Sequence, residues 1–125
     1  MSGSMEIPPQ VQNMLAQLQQ LRTQMEALGR QKLQVEAMLR DAENALEELE
    51  KVDADALVYK NVGELMIKAS KDEVKEELAE KKETYGLRQK TLERQEERGQ
   101  KRYQQLQQQL QEALGGVTQQ PAGTA

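Results

Sequence analysis

A chain of 125 residues has room for one domain, and it is 30% charged, 37% hydrophobic and only 2% aromatic, with no Phe or Trp, so the large aromatics that fill most globular cores are missing. With no Cys and no His, disulfides, thiol nucleophiles, serine–histidine and cysteine–histidine catalysis, and the commonest transition-metal ligand are all excluded. A net charge of -4 opposes nucleic-acid binding, which needs concentrated Lys and Arg, and no apolar run approaches the roughly 20 residues of a membrane span.

What remains is rich in Gln, Glu, Leu and Lys, the composition of long helices and coiled coils. It points to a soluble, cytoplasmic protein that is not an enzyme and uses no cofactor. Little buried area per residue means that stability depends on partners.

In chain order, residues 1–4 (Met1-Ser2-Gly3-Ser4) read as an expression remnant ahead of a start at Met5. Pro8 and Pro9 suit the first turn of a helix, where a missing N–H costs nothing. A helix is predicted over 8–52, roughly 65 Å of rise. Its apolar residues alternate at spacings of three and four in two seams. One is Val11, Leu18, Met25, Lys32, Leu39, Leu46; the other is Met14, Leu21, Leu28, Val35, Ala42, Leu49. Eleven of the twelve are apolar, Lys32 being the exception. Six heptads in a row predict a coiled coil, and the strict period of seven a left-handed one.

Asp53 and Asp55 lack the further ligands and the glycine of a calcium loop, so they read as linker and no metal is expected. Strands are predicted over 57–62 and 65–68, where β-branched and aromatic residues replace the heptads. Gly63-Glu64 between them fits a two-residue type II′ turn. A lone hairpin is marginal in water and its edges invite pairing with another chain. Leu57, Val58, Tyr59, Val62, Leu65 and Ile67, turned at Gly63, are therefore the candidate oligomerisation residues. The alternative is that these side chains fold down onto Val52, Ala56 and Val74 of the same chain.

Ser70-Lys71-Asp72-Glu73 has capping-box spacing and opens a second helix over 71–114, ended by Gly115-Gly116. A flexible tail is expected over 116–125. The second seam is Val74, Leu78, Tyr85, Leu92, Gly99, Leu106 and Ala113, joined by Tyr103 and Leu110. Folding the chain about residues 61–62 opposes Leu49 to Val74, Leu46 to Leu78, Leu39 to Tyr85, Leu21 to Tyr103, Leu18 to Leu106 and Met14 to Leu110. In the middle, Met25, Leu28 and Val35 face Arg88, Gln95 and Gly99. That stretch, with Gly86 and Gly99, should be the softest.

Ile7, Leu15 and Met38 lie off the seams, and the second helix has too little apolar surface to cover the first. The surplus suits adaptable binding of other chains. A structural adaptor or tether joining folded partners is the competing reading, since most heptad seams only hold helices together.

Helix, hairpin and helix of matched length resemble the prefoldin family, and the single hairpin resembles its β-type subunits. The resemblance is carried by Val58-Tyr59-Lys60-Asn61-Val62-Gly63-Glu64-Leu65-Met66-Ile67-Lys68 and Lys71-Asp72-Glu73, and runs from about residue 5 to 115. Gln31-Lys32-Leu33, Ala45-Leu46-Glu47-Glu48-Leu49, Glu76-Glu77-Leu78 and Thr91-Leu92-Glu93-Arg94-Gln95-Glu96-Glu97-Arg98 add to it. It implies an all-α-dominated antiparallel coiled-coil hairpin, assembled through β-barrels into a hexamer of two α-type and four β-type chains. It further implies a holding chaperone that needs no ATP, binds unfolded client proteins at the coil tips and passes them to a group II chaperonin. The tips here are Ile7, Val11, Met14, Leu15 and Leu18 with Leu106, Leu110 and Leu114. Glu6, Lys101 and Arg102 are candidates for the chaperonin contact.

Overall fold

The computed structural model describes residues 7–118, in the order α1 (Pro9–Glu50), β1 (Val58–Val62), β2 (Leu65–Ala69) and α2 (Lys71–Thr118). Two long helices with a two-stranded antiparallel hairpin between them are the fold class expected from the sequence. Two compact units divide the chain: Met1–Arg30 with Arg94–Ala125, and Gln31–Glu93. We call them the termini unit and the hairpin unit.

The entry to α1 is built by the Gln12 amide N–H donating to the Pro8 carbonyl at 3.0 Å, and by Gln12 Nε2 donating to the Ile7 carbonyl at 3.2 Å. The first is the opening i→i−4 bond of the helix and the second caps a carbonyl just ahead of it, while Pro8 and Pro9 have no N–H to leave open. At the other end α1 stops at Glu50 rather than at residue 52. There the Lys51 and Val52 N–H groups bond to Glu48 and Leu49, three residues back, and the helix tightens out of its α form. Lys71 Nζ then donates to the Val52 carbonyl at 2.8 Å. Ala56 N–H closes a turn on the Asp53 carbonyl, which places Asp53 and Asp55 in the linker.

All twelve seam positions of α1 are buried or half-buried, Lys32 among them, and so are the nine of α2. Val11, Val35, Ala42, Leu49, Leu92 and Leu106 are the most enclosed. In the termini unit Met25 meets Gly99 and Arg22 meets Tyr103; in the hairpin unit Glu36 meets Gln89 and Glu50 meets Lys75. Each pair lies within about one residue of the register read from the sequence.

Two expectations are corrected. Arg88 and Gln95 are exposed, and in the middle of α2 the half-buried polar positions are Gln89 and Glu96. Apart from Gly86 and Gly115, the sheltered positions from Tyr85 run 85, 89, 92, 96, 99, 103, 106, 110, 113, alternating four and three. This phase is fixed by Leu92 and Leu106, and it puts residues 88 and 95 on the solvent side. Second, α2 passes through Gly115 and Gly116 to Thr118. Glycine ends a helix by adopting positive φ, and among the described residues only Gly63 does so. A helical glycine costs about 1 kcal/mol against alanine, which weakens a helix without stopping it. The rest of the expected tail, residues 119–125, lies outside the described residues, as do residues 1–4 and Glu6.

Candidate functional site

The hairpin turns on Gly63, whose φ is +62°, while no other residue type among the described residues has positive φ. Positive φ at the first central residue alone is the type II′ signature. Strand pairing sets Val58 opposite Ala69, Lys60 opposite Ile67 and Val62 opposite Leu65 on one face. Tyr59 with Lys68, and Asn61 with Met66, make the other. β2 extends through Ala69, one residue past the expected end, because the Val58–Ala69 pair closes the ladder. β1 begins at Val58, which leaves Leu57 just outside it.

Only Val58, Lys60 and Ala69 of the ladder are half-buried. Leu57, Tyr59, Val62, Leu65, Met66 and Ile67 are exposed, Met66 by 71%. These side chains therefore do not fold down onto Val52, Ala56 and Val74. The sheet has two strands, so each has an unpaired outer edge. Met66 is a residue that reading the sequence missed. Its place opposite Asn61, on the face of Tyr59, follows once the turn fixes the register.

Lys60 has a role that its place in the motif does not reveal. Its ammonium lies 2.8 Å from Glu77 Oε1 and 3.2 Å from Glu73 Oε1, tying the middle of β1 to the first turns of α2. The signal was present in the sequence as a lone Lys in an apolar strand, followed by Glu at i, i+4 on a helix. Its hydrogen bonds to the accepting carboxylates, Glu77 first and then Glu73, raise the Lys60 pKa above the ordinary lysine range. Ser70 Oγ accepts the Glu73 N–H at 3.1 Å, so the expected cap is present. Below the hairpin, Lys75 Nζ sits 2.7 Å from Glu50 Oε1. Its hydrogen bond holds the Glu50 carboxyl below the ordinary glutamate range and pushes Lys75 up.

In the termini unit the eight tip candidates fall into three groups. Val11 and Leu106 are buried; Met14, Leu18 and Leu110 are half-buried; Ile7, Leu15 and Leu114 are exposed. A shallow groove lined by Gln17, Gln20, Leu21, Gln24, Arg102 and Leu106 brings the two ends of the chain together. Arg22 donates to the Tyr103 hydroxyl at 2.9 Å beside it. Among the described residues no helix is long and apolar enough to cross a membrane.

Two seven-residue-periodic helices joined by one apolar, exposed hairpin define a helix–hairpin–helix protein whose free apolar surface includes the strands and the chain ends. A family model described as prefoldin subunit matches residues 12–116. The chain belongs to this family of chaperone subunits. A prefoldin subunit beta of Archaeoglobus fulgidus is 61% identical over 92 residues, covering 74% of this chain and 79% of that one. One from Methanosarcina acetivorans is 54% identical over 110 residues, covering 88% and 94%. The crystal structure of the prefoldin beta subunit from Thermococcus strain KS-1 superposes with a TM-score of 0.80 at 44% identity, covering 87% of this chain and 96% of that one.

Proposed function

We propose that this chain is a β-type subunit of a holding chaperone, acting without ATP or catalytic residues, that assembles through its hairpin with α-type subunits and further copies of itself. The termini units hold non-native proteins and release them to a group II chaperonin. The observation that carries the reading is the exposure of Ile7, Leu15 and Leu114 at the chain ends of a prefoldin family member. Apolar groups left in water at several tips can each bind weakly, and tethering to one assembly multiplies them into useful avidity. The half-buried Met14, Leu18 and Leu110 would join them on local opening of the ends.

The test is light scattering of a heat-unfolding client in the presence of the chain reconstituted with an α-type subunit. The comparison is a variant with Ile7, Leu15 and Leu114 all changed to Ser, after sizing has shown equal assembly. Suppression by the parent and loss in the variant supports the reading. If an intact parent assembly leaves aggregation unchanged, the chain is a tether between folded partners instead.

A further inference from the structure

The charged residues are distributed unevenly. Of the 38 in the chain, 27 fall in residues 31–93, sixteen acidic and eleven basic. Residues 7–21 and 103–111, by contrast, contain no Asp, Glu, Lys or Arg at all. Both segments belong to the termini unit, and Leu21 and Leu106 line one groove. Their polar surface is made mostly of glutamine: four exposed glutamines, with Asn13, from 10–20 and six from 104–111. Elsewhere the solvated helix faces are largely built from Glu, Lys and Arg, which are as good helix formers as Gln. Helix stability therefore does not require the change in composition.

The change has a consequence for recognition. A partner that covers a charged surface must remove those ions from water, and this is costly unless it supplies opposite charges in matching places. A charge-free surface carries no such demand. Each glutamine amide offers two donors and one acceptor, the same groups that an unfolded backbone presents. Together with the exposed Leu15 and Leu114, the amides match an apolar side chain and the peptide groups on either side of it.

We infer that the glutamine-coated tip selects uncharged, extended stretches of a non-native polypeptide, and takes clients without regard to their net charge. This rests on the holding function proposed above and specifies its substrate. Lys101 and Arg102 border the charge-free surface, and Glu112, between Gln111 and Leu114, is the one charge that the described part of α2 carries beyond Tyr103.

The experiment uses the reconstituted complex and two aggregating clients of similar size, one strongly acidic and one strongly basic. The reading is the chaperone concentration that halves scattering, at low and high salt. For the parent the two clients should agree within about twofold and salt should leave them unchanged, whereas a charged surface alters association by about tenfold or more. Gln104→Glu, Gln105→Glu and Gln108→Glu together should weaken holding of the acidic client several-fold, with recovery in high salt. Alanine at the same three sites should weaken both clients alike. These positions are exposed on α2, and helicity checked by circular dichroism confirms that each variant folds. A parent that already discriminates by charge, or glutamate and alanine variants indistinguishable from it, overturns the inference while leaving the holding function standing. A parent that holds neither client removes both.

Discussion

Gly99 is the point where α2 lies against Met25: a Cβ at residue 99 would come within 3.2 Å of Met25 Cγ and 3.6 Å of its sulfur. Gly86, in the hairpin unit, has nothing within 4 Å of the same position. The two glycines look alike in the sequence, as weak points of one helix, yet they differ in kind. Gly86→Ala should recover the full helix-propensity difference, about 1 kcal/mol. Gly99→Ala should gain less, because Met25 has to shift, though its flexible thioether can. Gly99→Leu should destabilise. Thermal unfolding of the same assembly at one fixed concentration makes the comparison valid. Equal gains at the two positions would show that Met25 does not fill the space beside Gly99.

The contrast shows where sequence reading succeeds and where it stops. The period of seven named every sheltered large apolar position of α1, missing only the half-buried Ala27, Ala37 and Ala45, because a two-helix seam has one geometry and apolar residues leave few choices. Ser70, Glu73 and Gly63 were legible because a cap and a tight turn depend on chemistry within four residues. Gln89 and Glu96 were not. A polar side chain at a seam is identified only by its partner, as Gln89 is by Glu36 across 53 positions of chain. Heptad spacing does separate Leu18, on a seam and half-buried, from Leu15, off it and exposed, but it does not say that Val11 is buried while Met14, also on a seam, is only half-buried.

The hairpin depends on Gly63 adopting φ +62°. No atom within 4 Å would obstruct a side chain there, so the cost of Gly63→Ala is conformational alone, about 1–2 kcal/mol. That cost falls on a ribbon with one pairing and little burial. The expected outcome is therefore weakened assembly rather than loss of helix: unchanged circular dichroism, and sedimentation shifted toward smaller species at equal concentration. An unchanged sedimentation profile would place the assembly contacts elsewhere in the chain.

The two ion-pair sites that anchor the hairpin unit respond to opposite ends of the pH scale. The Lys60 pKa is raised in the fold, so its contribution is complete below the ordinary lysine range and disappears only as pH climbs through the higher folded value. The Glu50 pKa is lowered, so its contribution is complete above the ordinary glutamate range and disappears as pH falls through the lower folded value. Stability of Glu50→Gln should therefore converge with that of the parent on the acid side, below the ordinary glutamate range, and not at neutral pH. Lys60→Met should speed amide exchange in β1 and β2 at neutral pH while the helices exchange as before. Both links are partly exposed, so high salt should shrink each effect.

Leu106 and Leu15 separate holding the coil together from holding a client. Leu106 is only 3% exposed, opposite the predicted position of Leu18, and truncation to Ala removes buried surface and leaves a gap. Cavity-forming leucine truncations cost about 2–5 kcal/mol, and a two-helix seam can close partly over the gap, which places Leu106→Ala at about 2 kcal/mol. Leu15, at 42% exposure, should cost within about 0.5 kcal/mol as Ala, as surface changes usually do. The order reverses for aggregation suppression. Leu15→Ala removes an apolar group that is already in water and available to a client, so holding should fall with stability unchanged. Leu106→Ala loosens the ends and makes Leu18 and Leu110 more accessible, so holding should persist, or rise, at temperatures where the helices remain paired. Chemical denaturation and light scattering on the same two assemblies decide it. If Leu106→Ala loses both stability and holding while Leu15→Ala loses neither, clients are gripped by the closed seam and not by its exposed flank.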